Sequence, residues 1–134
     1  MKVGIPKEIA AGEKRVAGTD VTVERLIKLG FSVIVQSGAG VGARIPDSLY
    51  VQAGAEICES SDAIWDTADV GLKVRAPLLD EDAKLHEADR LRAGVVLVCL
   101  LSPAQNSGLI ERMKANGGSV LALDQIPRIS RAQK

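Results

Sequence analysis

The chain has 134 residues, a length suited to one domain with a complete hydrophobic core. Its 17 basic and 17 acidic residues balance, which argues against a nucleic-acid or anionic-membrane partner. Aromatic residues are scarce, so the core must be aliphatic, and the longest apolar run, residues 95–101, is much shorter than the roughly 20 residues of a membrane span. Two widely spaced cysteines, Cys58 and Cys99, are typical of reduced thiols, and together these properties indicate a cytoplasmic protein.

Strand and helix patterns alternate along the chain. The predicted strands are short aliphatic runs, at residues 3–5, 31–35, 55–58, 70–74, 95–101 and 120–123. Most of the predicted helices begin at a capping residue or end near a glycine, and the segment 79–92 is assigned from its charged residues. The helices cover residues 19–29, 47–53, 60–68, 79–92 and 103–115. This order predicts an α/β fold with a parallel sheet flanked by helices, a three-layer arrangement of the Rossmann-like or flavodoxin-like kind.

A glycine-rich loop at residues 38–43 follows the second predicted strand and fits the pattern G-x-G-x-x-[GA]. A dinucleotide fingerprint requires that such glycines open a helix, because the pyrophosphate must meet the helix N-terminus. Here Pro46 and Asp47 intervene, and Asp47 is expected to cap the next helix. The favoured interpretation is a tight loop that needs small residues.

Residues 102–106 follow the most apolar strand and have the sequence of a capping box. Ser102 suits the N-cap, Pro103 the first helical position and Gln105 the third. The same residues are expected at the carboxyl edge of the sheet, where open α/β sheets bind ligands. Capping is the favoured role, because it accounts for these residues without any function.

Lys73 lies inside an aliphatic run, where an unpaired ammonium would be costly to bury. Two interpretations are open. Arg15 and Lys73 form a possible pocket for the carboxylate or phosphate of a ligand, or Lys73 is salt-bridged. The single histidine, His86, falls on a predicted exposed helix, and no catalytic triad, Cys–His pair or metal-ligand cluster can be assembled. The sequence therefore assigns no catalytic and no metal-binding residue.

Hydrogen-bond donors are concentrated in the last residues of the chain, directly after an apolar strand. These residues are Arg128, Ile129, Ser130, Arg131 and Gln133. Guanidinium, hydroxyl and amide groups at the end of a strand suit an anionic or polar ligand.

Residues 2–8 (Lys-Val-Gly-Ile-Pro-Lys-Glu) and 13–17 (Glu-Lys-Arg-Val-Ala) resemble the start of two related families. These are alanine dehydrogenase and the α subunit (domain I) of proton-translocating NAD(P) transhydrogenase. Residues 29–31, 38–40, 52–55 and 72–74 fit both, so the resemblance covers essentially the whole chain. Alanine dehydrogenases carry a catalytic histidine where this chain has Ser102, whereas residues 103–106 and 127–133 are similar to transhydrogenases.

The resemblance implies the N-terminal part of the NAD(H)-binding component of an enzyme that transfers hydride from NADH to NADP⁺ and couples this to proton translocation. Residues 1–127 would form the N-terminal α/β domain, and residues 128–134 the truncated start of an inter-domain segment. In that segment the residues expected to contact NAD(H) are Arg128, Ile129, Ser130, Arg131 and Gln133, with Gln133 helping to place the nicotinamide.

The resemblance also implies several partners. The first is the rest of domain I, whose GxGxxG Rossmann domain this chain lacks. The others are a second α subunit in a homodimer and the NADP(H)-binding and membrane-spanning subunits, which would hold the protein peripherally at the inner membrane. The isolated chain is expected to be inactive.

Two alternatives stay open. One is a fragment of an amino-acid dehydrogenase, with Arg15 and Lys73 holding a substrate carboxylate. The other is a non-catalytic nucleotide-sensing or assembly module. The missing histidine favours transhydrogenase, because hydride transfer between two nicotinamides requires positioning and exclusion of water but little acid–base chemistry.

Overall fold

Strands and helices alternate along residues 1–80, 85–90, 92–100 and 107–123, which are the residues that this computed structural model describes. The strands are β1 (Lys2–Ile5), β2 (Ser32–Gln36), β3 (Glu56–Cys58), β4 (Val70–Arg75), β5 (Leu79–Asp80), β6 (Leu85–His86), β7 (Val96–Leu100) and β8 (Ser119–Ala122). The helices are α1 (Asp20–Lys28), α2 (Asp47–Gln52), α3 (Ser61–Thr67) and α4 (Ser107–Ala115), with 3-10 turns at Val41–Ala43 and Glu87–Arg90. None of the helices in these ranges is long and apolar enough to cross a membrane.

The main sheet contains six of the described strands, all parallel, in the order β3-β2-β1-β4-β7-β8. The chain starts in the middle at β1, builds outward to β3, and then returns to build the other half from β4. Val3 of β1 therefore has Val33 on one side and Val70 on the other. This order confirms the predicted parallel α/β fold and puts its topological switch point between β1 and β4.

Helices pack on both faces of the sheet. On one face, Val23 of α1 and Tyr50 of α2 join a buried cluster with Val3 and Val33. On the other face, α3 packs so closely that a Cβ on Gly4 would lie 2.5 Å from Cγ2 of Ile64. A second cluster continues this face over the other half of the sheet, and its buried members are Trp65, Ala88, Val95, Leu97, Cys99 and Met113.

Among the residues that the structure describes, a buried cluster covers strands β7 and β8 on one side only. Leu97 in β7 is fully buried in the second cluster, while its neighbour Val96 is 37% exposed. Leu121 and Leu123 are 51% and 42% exposed. None of these three exposed side chains belongs to the buried clusters of the described residues. A row of aliphatic side chains is therefore open to solvent at this end of the sheet.

The predicted helix over residues 79–92 is wrong where the structure describes it. Strands β5 and β6 form an antiparallel pair, with Leu79 opposite His86, and a 3-10 turn follows. The prediction rested on charge without an apolar helical period. Here the antiparallel pairing outweighs the local helix propensity, because the backbone N–H and the carboxylate of Glu87 both form hydrogen bonds with the backbone of Leu78. His86 is therefore in a strand and not on an exposed helix.

Candidate functional site

The carboxylate of Glu8 fills the gap between β1 and β4 at the switch point. Strand β1 ends at Ile5, whereas β4 continues to Arg75 with a shift of register between Leu72 and Arg75. Within that shift the backbone N–H of Val74 donates to Oε2 of Glu8 at 3.1 Å, and that of Arg75 donates to Oε1 at 3.0 Å. A side chain thus takes the place of a neighbouring strand where open α/β sheets form their ligand crevice.

Lys73 lies beside Glu8 and is salt-bridged. Its Nζ is 3.1 Å from Oε1 of Glu8 and 3.4 Å from Oε2 of Glu87. The three side chains are 1%, 2% and 5% exposed in the order Lys73, Glu8 and Glu87. Oε1 of Glu87 also accepts the N–H of Leu78 at 3.0 Å. Two buried carboxylates therefore share this ammonium, and burial raises the pKa of Glu87 despite the nearby cation.

A third carboxylate, Glu13, binds two arginines at the same edge of the sheet. Arg15 donates from Nε and Nη2 at 2.8 and 3.0 Å, and Arg75 donates from Nε at 2.7 Å. The Glu13 side chain is 4% exposed, but those of Arg15 and Arg75 are 60% and 53% exposed. The hydrogen bonds from the Arg15 and Arg75 side chains hold the pKa of Glu13 far below its usual range. The group carries a net positive charge, and planar guanidinium groups suit carboxylate and phosphate.

The predicted anion pocket of Arg15 and Lys73 stays a prediction, but the structure places its two members differently. Lys73 is buried against Glu8 and Glu87, while Arg15 is exposed and bonded to Glu13. Arg75, the more exposed cation of strand β4, was not among the predicted site residues. Its position at the carboxyl end of a strand at the switch point was the available clue.

The glycine loop is confirmed as a tight loop. It forms a 3-10 turn, and a Cβ on Gly40 would lie 2.6 Å from the carbonyl oxygen of Ile45. The prediction that Asp47 caps α2 is wrong, because Pro46 occupies the N-cap position. The Asp47 carboxylate instead accepts hydrogen bonds from Ser37 Oγ at 2.6 Å and from the N–H of Gly38 at 2.9 Å. These two bonds, the first above all, lower the pKa of Asp47.

The remaining predicted site residues lie outside the described residues. They are Ser102 of the capping box and the terminal set Arg128, Ile129, Ser130, Arg131 and Gln133. Their roles stay predictions.

Comparison with known proteins places the chain in a family. The family model "Alanine dehydrogenase/PNT, N-terminal domain" matches residues 4–134. NAD(P) transhydrogenase subunit alpha of Cereibacter sphaeroides is 44% identical over 134 residues, which are 100% of this chain and 24% of that protein. Alanine dehydrogenase of Mycolicibacterium smegmatis is 36% identical over 126 residues, 94% of this chain and 32% of that protein.

A solved structure has the same fold. The crystal structure of transhydrogenase from Sinorhizobium meliloti superposes with a TM-score of 0.89 at 39% identity, covering 99% of this chain and 38% of that chain. The chain thus spans about a quarter to two fifths of the length of these relatives. The sequence resemblance is confirmed, and this chain belongs to the alanine dehydrogenase/PNT N-terminal domain family.

Proposed function

We propose that this chain is the N-terminal part of the NAD(H)-binding component of a proton-translocating NAD(P) transhydrogenase. The observation that carries the proposal is its 44% identity, along the whole chain, with a protein named NAD(P) transhydrogenase subunit alpha. The superposition on a transhydrogenase structure supports it. So does Ser102, which stands where the resemblance to alanine dehydrogenases calls for a catalytic histidine.

When bound, NADH supplies the hydride that reduces NADP⁺ held on a partner subunit or domain. The chain's role would be to position the nicotinamide and to exclude water, which requires hydrogen-bond donors but no general base. The proposed NAD(H) contacts are Arg128, Ile129, Ser130, Arg131 and Gln133. The exposed guanidinium groups of Arg15 and Arg75 suit the negative charge of a dinucleotide and lie at the ligand edge of the sheet.

The proposal includes partners and a location. The chain would work with the rest of domain I, in a dimer of the α subunit, and with NADP(H)-binding and membrane-spanning subunits. Such an assembly would place it in the cytoplasm, peripheral to the inner membrane. The GxGxxG domain, in the rest of domain I, would make most of the contacts with the dinucleotide. The isolated chain should therefore bind NADH very weakly and transfer no hydride.

Calorimetry of the 134-residue chain with NADH tests that last point, and micromolar affinity would contradict it. The activity itself requires the intact subunit that carries this domain. There, Gln133→Ala should lower the rate of hydride transfer from NADH to an NADP⁺ analogue more than it weakens NADH binding. Lys134→Ala, next in the chain, is the matched control. Equal rates in the Gln133 variant and the parent would remove Gln133 from the site.

A second candidate function is amino-acid oxidation. It is favoured by the two exposed guanidinium groups of Arg15 and Arg75, whose donors match a substrate carboxylate. Alanine-dependent reduction of NAD⁺ by the intact protein would support this function. Its absence, together with hydride transfer between nicotinamides, would leave the transhydrogenase proposal alone.

A further inference from the structure

We propose that Glu8 is a positioning residue for the anion-binding edge of this domain. Its buried carboxylate fixes the end of β4 from which Arg75 presents its guanidinium group. This inference rests on the anion-binding role proposed above for Arg15 and Arg75. It differs from that role because Glu8 itself contacts no ligand.

The carboxylate of Glu8 accepts three hydrogen bonds. Its two oxygens receive Nζ of Lys73 and the consecutive backbone N–H groups of Val74 and Arg75, all within 3.1 Å. These two N–H groups lie where the register of β4 against β7 shifts. Both bonds are partly buried, and N–H groups in such places are rarely left without a partner, so the irregular end of β4 depends on this carboxylate.

Lys73 balances the charge of the buried Glu8 carboxylate. A buried carboxylate requires a counter-ion, and Lys73 provides it from the same strand whose backbone Glu8 holds. This accounts for a lysine in an otherwise aliphatic strand without making it a ligand group. Glu87 adds a second contact to the ammonium and ties it to Leu78, beyond the end of β4.

Arg75 is bonded to two carboxylates. Glu8 accepts from its backbone N–H, and Glu13 accepts from its Nε. Glu13 also holds Arg15, so the spacing of the two guanidinium groups depends on where β4 ends. Displacement of that end should therefore change anion binding even when the fold is intact.

The test is Glu8→Gln in the 134-residue chain, followed by NMR of arginine Nε–Hε groups. A glutamine keeps one acceptor oxygen but has an NH2 group in place of the other, and this group cannot accept a hydrogen bond from an N–H. We expect the Arg75 Nε–Hε resonance to lose its protection from exchange, and inorganic phosphate to bind about tenfold more weakly to the Arg15–Arg75 pair. Arg112, bonded to Asp89 at 2.7 and 2.6 Å, is the internal control and should not change.

The two measurements distinguish the positioning role of Glu8 from the anion-binding role of Arg15 and Arg75. A folded variant with unchanged Arg75 resonance and phosphate affinity would overturn the inference. Loss of the Arg75 resonance in a chain whose parent binds no phosphate would keep Glu8 as the positioning residue and reject the anion-binding role. If E8Q does not fold, E8D retains the charge beside Lys73 but is one methylene too short to reach all three donors, and the same two measurements on it decide.

Discussion

Replacement of Lys73 by methionine tests the buried ionic cluster most directly. The side chain keeps its length but loses its charge, and Glu8 and Glu87 are left buried without their shared cation. Removal of one member of a buried ion pair costs about 3–5 kcal/mol, because the remaining charge is uncompensated. For 134 residues the entropy of unfolding is about 0.28 kcal/mol/K, so the midpoint should fall by roughly 10–18 °C.

Urea unfolding followed by the fluorescence of Trp65, the single tryptophan and a buried one, gives the free energy of unfolding. Lys28→Met is the matched control, since Lys28 pairs with Glu24 on the exposed side of α1 and should contribute little. A triple variant with glutamine at positions 8 and 87 as well should recover part of the loss, because no buried charge remains, although one of the N–H groups of Val74 and Arg75 loses its acceptor. A loss below about 1 kcal/mol in K73M, or no recovery in the triple variant, would refute this account of the cluster.

Three further predictions concern other parts of the domain. Gly40→Ala should destabilise by about 1–3 kcal/mol through contact with the carbonyl of Ile45, while Gly108→Ala in α4, where a Cβ meets nothing within 4 Å, should stabilise by up to about 1 kcal/mol; thermal melts compare them. Tyr50, the single tyrosine, should titrate near pH 12 by ultraviolet absorbance, because burial raises its pKa to about 12; a midpoint near 10 contradicts its burial. Burial also raises the pKa of Glu87 above 4.5, so the folded chain binds this proton more tightly than the unfolded chain does. Stability should therefore fall as pH rises from 4.5 through the raised pKa, and Glu87→Gln should flatten this part of the pH–stability curve.

Most of the sheet could be predicted from the sequence because its strands are short aliphatic runs separated by glycine and polar residues. β1, β2 and β4 all lie within one or two residues of their predicted bounds. The lysine in β4 was expected either to be salt-bridged or to line a pocket, and the salt bridges are observed. Its partners could not be predicted, since Glu8 is 65 residues away and only the pairing of β1 with β4 brings them together.

The errors arose where a polar side chain makes a tertiary contact in place of a local one. Asp47 has the sequence context of a helix cap, but the loop after β2 offers it Ser37 and Gly38. Glu87 has the context of an exposed helix, but its carboxylate is buried against Lys73. Charge alone does not distinguish a solvated face from a buried ion pair, so both positions required the fold to be known first.

The one-sided cover of β7 and β8 has a practical consequence for protein engineering. Along β7, tolerance to substitution should alternate from one residue to the next: Leu97 faces a filled core, while Val96 faces solvent. A charged residue at Val96, Leu121 or Leu123 should add solubility at the face where these side chains are exposed, and all three lie outside the buried clusters of the described residues. This face is therefore a place where polar substitutions can be introduced without changing the second cluster.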